Sequence, residues 1–202
     1  MPSSLAHPAV RQVWAAVRML LVLTVVVGLA YPLALTGFAQ VLVPGRADGS
    51  LVTRDDTVVG SSLIGQSFDG RPEYFQSRPS AAGDGYDPLA SSASNLGPEN
   101  EDLLAAIDER RAAAAYLDGT DPAQVAPDAL LASGSGLDPD ISPEYAAQQV
   151  DRVAAERGLS TDEVGRLVDR FTEGRSLGFL GEPHVNVLLL NLALDDEAGR
   201  AD

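Results

Sequence analysis

Residues 19–45 read MLLVLTVVVGLAYPLALTGFAQVLVPG, a stretch with no ionisable side chain apart from the phenol of Tyr31. Roughly 20 apolar residues in a helix cross a hydrocarbon core of about 30 Å, so a transmembrane helix is expected at 19–43. The competing reading is a cleaved signal peptide, with Gly37-Phe38-Ala39 as its small-x-small site. The apolar run outlasts the ~7–15 residues of a signal core, and Val41-Leu42-Val43 continue it past that site, which favours a retained anchor. Pro32 should kink the helix or end its regular part. Thr24 and Gly28, then Ala30, Ala34 and Gly37, set small side chains three and four residues apart, the spacing at which another membrane helix packs closely.

Charge separates the two flanks. Arg11 and Arg18 precede the run and no carboxylate occurs before Asp48, whereas from Pro44 onward 12 Arg face 29 carboxylates, a net −17. Basic flanks stay on the cytoplasmic side, so residues 1–18 are expected inside and the acidic bulk outside a bacterial plasma membrane. A surface that acidic repels phosphate backbones and excludes nucleic acid as a partner. The chain has no Cys and no Lys. Disulfides, thiolate chemistry, a Walker A loop and Schiff-base catalysis are thereby excluded.

The expected architecture is α+β: one N-terminal membrane helix, a linker at 44–56, a compact outer domain of helices on a small sheet at 57–195, and a disordered acidic tail at 196–202. Strand material is expected at 57–64, interrupted by Gly60, at 73–77, and at 129–132. The Gly-, Pro-, Ser- and Asn-rich stretch 80–97 reads as an irregular loop. A helix should start near Pro98, with Glu99, Glu101 and Asp102 at its positive end, and stop by Gly119. A second has Ser142 as N-cap, Pro143 in its first turn and Gly158 as its close. A third opens on the capping box Ser160-Thr161-Asp162-Glu163. The apolar run 185–194 shows no alternation and is expected to be a central strand covered on both faces, a second membrane helix needing more than ten residues.

Chemistry is thin. His184 is the single histidine after the apolar run, too few ligands for zinc. Asp138-Pro139-Asp140 opens like an EF-hand loop, but Pro143 holds the Gly position and Gln149 the bidentate Glu position. Ser133-Gly134-Ser135-Gly136 resembles a nucleophile elbow only loosely. No metal or intrinsic cofactor is expected.

Several runs are similar, in order, to one family. They are Gly60-Ser61-Ser62-Leu63-Ile64-Gly65-Gln66, Tyr74-Phe75-Gln76-Ser77-Arg78-Pro79-Ser80-Ala81, Tyr86-Asp87-Pro88, and Ser94-Asn95-Leu96-Gly97-Pro98. Further on come Ala132-Ser133-Gly134-Ser135-Gly136-Leu137-Asp138-Pro139, Gln149-Val150 with Arg152, Gly178-Phe179-Leu180-Gly181-Glu182-Pro183, and Asn191-Leu192-Ala193-Leu194-Asp195. Together they resemble the C subunit of Kdp-type potassium-transporting P-type ATPases, from the membrane helix to about Asp195. The chain departs from that pattern at Ser92-Ala93 (commonly Gly-Gly), Asp140 (commonly His) and His184 (commonly Arg).

The resemblance implies a non-catalytic accessory subunit, needed for assembly and activity of a high-affinity potassium pump. Its implied partners are a channel-like potassium-selecting subunit, a P-type ATPase subunit and a small accessory subunit, with ATP and K+ handled by the complex. It also implies a catalytic chaperone that raises the ATPase subunit's nucleotide affinity, for which Gln149, with Gln148 beside it, is the matching glutamine. Arg78, Ser80, Asn95, Gly97, Pro98, Ser133, Gly134, Ser135, Gly136 and Asp138 are candidates either for partner contact or for setting turns. A membrane-anchored outer hydrolase or ligand-binding domain is the alternative.

Overall fold

The computed structural model describes residues 6–201, with side chains placed from 9 to 197. The expected segments 1–5 and Asp202 lie outside the described residues. Two compact units divide the chain near residue 51.

In the first unit, α1 (Ala6–Val25) continues through a π-helical turn (Val26–Ala30) into α2 (Tyr31–Leu42). A candidate membrane span covers Ala9–Leu42, so the helix starts well before the expected 19. Arg11, Arg18 and Trp14 are therefore on it. Pro32 lacks an N–H, and the wide turn just ahead of it absorbs the backbone disruption without ending the helix. The Tyr31 N–H reaches back to the Val26 carbonyl within that turn. A single helical turn, α3 (Pro44–Ala47), follows.

The second unit is the α+β part. Strands β1 (Leu51–Arg54) and β2 (Thr57–Ser61) pair around Asp55 and Asp56, at φ 49° and 60°. Positive φ at both central residues is the two-residue hairpin geometry that matches strand twist. The stretch expected as linker thus holds a helical turn and a strand. Gly60 lies inside β2, and 62–64 turns away from it. Helix α4 (Glu101–Asp118) starts later than Pro98, because Asn100 is the N-cap and its Oδ1 accepts from the Asp102 and Leu103 N–H groups. Helix α5 (Pro143–Arg157) and α6 (Thr161–Phe171) have the expected caps, Ser142 with Gly158 (φ 67°) and the Ser160–Glu163 box.

A second sheet has the order β3 (Asp140–Ile141), β5 (His184–Asn186), β4 (Thr172–Glu173), all antiparallel. Ile141 and Thr172 both oppose Val185, which is fully buried. The chain then turns directly into α7 (Val187–Ala201).

Four expectations are corrected here. The run 185–194 is strand only through Asn186, and the remainder is helix. An unbroken apolar run does not distinguish the two by periodicity. Its leucines and alanine favour helix over strand, and Val187, Leu190, Asn191 and Leu194 supply a buried stripe at helical spacing. Residues 129–132 form no strand: Pro127–Ala129 is a 3-10 turn whose Ala129, with Leu130, is buried. Residues 73–77 form no ladder either, although Phe75 is fully buried. Helix α7 also runs through 196–201, where a disordered tail was expected: Asp196 pairs with Arg54 at 3.1 Å and Glu197 approaches Arg170 at 3.7 Å.

The core joins α5, α6 and α7 to the small sheet. Ala146, Val153, Val164, Val185, Leu190 and Leu194 are fully buried in it.

Candidate functional site

Gln149 stands on the inner face of α5 and is 0% exposed. It faces residues 72–77, a turn through Tyr74 followed by irregular chain, whose buried backbone groups need partners that no neighbouring strand supplies. The side chains of two helices supply them instead. Gln149 Oε1 accepts from the Gln76 N–H (2.6 Å), and its Nε2 donates to the Gln76 carbonyl (3.3 Å). Asn191, from α7, repeats the arrangement one residue earlier: Oδ1 accepts from the Phe75 N–H (2.9 Å) and Nδ2 donates to its carbonyl (3.0 Å). Two amide side chains thus act as strand neighbours for residues 75 and 76.

Arg152 lies three residues beyond Gln149 and so on the same helix face. Its guanidinium donates to Gln149 Oε1 (2.6 Å), to the Tyr74 carbonyl (2.9 Å) and to the Pro72 carbonyl. Asp118, at the end of α4, neutralises it: Nε donates to Oδ1 at 2.8 Å, with both side chains buried. The other Asp118 oxygen accepts from Gln148 Nε2 (2.7 Å), while Gln148 Oε1 accepts from the Ala126 N–H (2.9 Å). Both glutamines are therefore committed to intramolecular bonds. Neither Arg152, Asp118, Gln76 nor Asn191 was nominated from the sequence as part of a site. Polar residues at inward helical positions were the available signal, but their partners lie on distant segments.

A second cluster ties three loops together. Arg78 pairs with Asp138 (2.9 Å) and donates to the Leu131 carbonyl (3.3 Å). The Ser80 hydroxyl donates to the Gly136 carbonyl (2.6 Å) and accepts from the Ala82 and Tyr86 N–H groups. Ser133 Oγ accepts from the Gly136 N–H, and Ser135 Oγ from that of Leu137. The Ser135 carbonyl accepts from the Ser92 N–H (3.0 Å). The Tyr86 hydroxyl donates to the Arg78 carbonyl (2.7 Å), and burial pushes its pKa up to about 12. Arg78, Ser80, Ser133, Ser135, Gly136 and Asp138 thus meet in one knot. Gly134 borders it with open space where a side chain would be.

Asn95, Gly97 and Pro98 are not brought into that knot. They are exposed, with Asn95 at φ 53° and its amide bonded locally to the Ala93 carbonyl. In the candidate membrane span Thr24, Gly28, Ala30, Ala34 and Gly37 are all exposed. The π turn contains Gly28 and Ala30, so the five do not share one uninterrupted α-helical face.

His184 sits at the base of the β4–β5 hairpin, its Nε2 3.7 Å from Asp140 and 3.8 Å from Glu173. Burial raises the Asp140 pKa above its ordinary value, and His184 partly offsets that. Among the described residues no group of three His, Asp or Glu side chains is arranged to hold a metal ion.

The family model for KdpC, described as the K+-transporting ATPase c chain, matches residues 13–196. The chain is similar to the potassium-transporting ATPase KdpC subunit of Kineococcus radiotolerans, 62% identical across 93% of this chain and 95% of that protein. It is 56% identical to that of Sorangium cellulosum (89% and 95% covered) and 52% identical to that of Mycobacterium tuberculosis (92% and 98%).

Proposed function

The chain belongs to the KdpC family of K+-transporting ATPase subunits, and on that premise we propose that it is a non-catalytic accessory subunit working through contact with its neighbours. It is anchored by one span, with its N-terminus cytoplasmic and its acidic domain outside. Its partners are the channel-like potassium-selecting subunit, the P-type ATPase subunit and a small accessory subunit. Any rise in the pump's ATP affinity is transmitted through those subunits as allosteric coupling rather than by contact with nucleotide.

One observation carries this reading. Gln149 is wholly buried and both ends of its amide are engaged with Gln76, with Arg152 also on the oxygen. A nucleotide would have to displace bonds that hold the outer domain together. Charge argues the same way, since Arg11 and Arg18 precede the span and a net −17 follows. ATP is cytoplasmic, and about 30 Å of hydrocarbon separates it from a domain outside.

The test uses the intact transporter with Gln149→Ala. The substitution removes the partners of the buried Gln76 N–H and carbonyl and of one Arg152 guanidinium nitrogen, costing about 1–3 kcal/mol per orphaned group. The expected result is a lower yield of assembled complex, while the complex that forms keeps wild-type ATP affinity. Full assembly with a large loss of ATP affinity would refute the indirect role. Protease added to whole cells should trim the outer domain, and protection there would overturn the topology.

A further inference from the structure

The connection between β4 and β5 stands away from the core. Every residue from 173 to 183 is exposed, including three apolar side chains in four positions: Leu177 (84%), Phe179 (68%) and Leu180 (50%). None of the three packs on the hydrophobic core. A floppy surface loop would carry such residues singly and without order, but this one is built. Ser176 and Leu180 form an antiparallel bridge, the Leu180 N–H donates to the Ser176 carbonyl (2.9 Å), and the Gly178 N–H donates to that of Arg175 (3.0 Å). Arg175 and Glu182 close the neck with an ion pair at 2.5 Å.

Leu177 is at φ 55°, the left-handed region that a leucine adopts only under compulsion. Folding alone would be better served by glycine there. A strained, exposed, apolar residue at the tip of an ordered hairpin therefore points to a surface whose burial partner is another molecule.

We propose that the 174–183 hairpin is a preorganised apolar knob that inserts into a cleft on another subunit of the same potassium-transporting complex. This rests on the accessory-subunit reading above. Electrostatics selects the kind of partner. The knob rises from a segment of net −17, and its one arginine, Arg175, is already paired with Glu182. An anionic lipid surface would repel that body, since peripheral membrane contact relies on unpaired Lys or Arg beside the apolar residues. A protein cleft with an apolar floor for Phe179 and Leu177 and basic side chains on its rim is complementary in both respects.

The experiment uses the complete transporter in cells. A photo-crosslinking phenylalanine analogue at position 179 should join this chain to another subunit. Capture of lipid alone, or of a second copy of this chain, would overturn the knob. In parallel, Leu177→Ser, Phe179→Ser and Leu180→Ser are combined and the chain's retention in the purified complex is measured. A fall of about tenfold or more is expected, against little change for Tyr116→Ser, a control that is 92% exposed elsewhere.

Leu177→Gly separates docking from structure: it relieves the strained φ, so thermal stability should hold or rise while retention drops. Lower stability with unchanged retention would mean that Leu177 serves the fold alone. Wild-type chain that fails to purify with the transporter would overturn the accessory-subunit reading and the knob with it. Wild-type and triple variant retained equally would remove only the knob.

Discussion

A methyl group added at Gly136 would lie 2.6 Å from the Ser92 carbonyl oxygen and 2.7 Å from the Ala82 nitrogen, at a backbone φ of 68°. Both obstacles are main chain, held by the knot of loops around Ser80 and Ser135, so neither yields cheaply. Gly134, two residues away, has nothing within 4 Å of the same added atom and no positive φ. Gly136→Ala should therefore destabilise the domain by about 2 kcal/mol or more, while Gly134→Ala should stay within about 0.5 kcal/mol. Urea unfolding of the two variants in detergent measures the contrast, and equal midpoints would show that the knot is not rigid. The same scale explains what Gln149 does. Its place in a recognisable run was legible in the sequence, but its job was not. That job is to pair with the backbone of a residue 73 positions earlier, and nothing local announces it.

Among the elements, α6 is the one most fully specified by local sequence. The Ser160 hydroxyl accepts from the Glu163 N–H, and the Glu163 carboxylate accepts from the Ser160 hydroxyl (2.6 Å) and N–H (2.9 Å). Those hydrogen bonds, the hydroxyl's first, hold the Glu163 pKa below its ordinary 4.5. A carboxyl whose pKa is lower when folded favours the folded state above its unfolded pKa, and that contribution fades as pH falls through the folded value. Ser160→Ala should lower the unfolding temperature by roughly 2–4 °C at pH 7. The gap between variant and wild type should narrow as the pH falls through the lowered folded value of that carboxyl. A gap unchanged by pH would mean that the carboxylate takes no part in the cap. The element misread most instructively is α7. Its helical stripe is present in the sequence, but Val185 and Asn186, which belong to the central strand, merge with it into one apolar run.

For the whole molecule, charge is the dominant quantity. Twelve Arg against 29 carboxylates after Pro44 leave a domain that repels itself. Raising monovalent salt from about 10 to about 150 mM shortens the screening length from ~30 to ~8 Å. The unfolding temperature should rise as a result. The Arg152–Asp118 pair is buried and screened far less, so it should not reverse the trend. A fall in unfolding temperature over that range would mean that surface ion pairs such as Arg54–Asp196 outweigh the net repulsion.

The sequence alone determined the apolar segment, the charge asymmetry across it, the caps of α5 and α6 and the family, because each is written in neighbouring residues or in composition. The tertiary structure decided where strand gives way to helix after Asn186, which side chains stand in for a missing strand beside Phe75 and Gln76, and that Leu177 and Phe179 point away from every core. Those outcomes depend on backbone groups and surfaces brought together from residues tens of positions apart, and an isolated segment carries no record of the partner that will satisfy it.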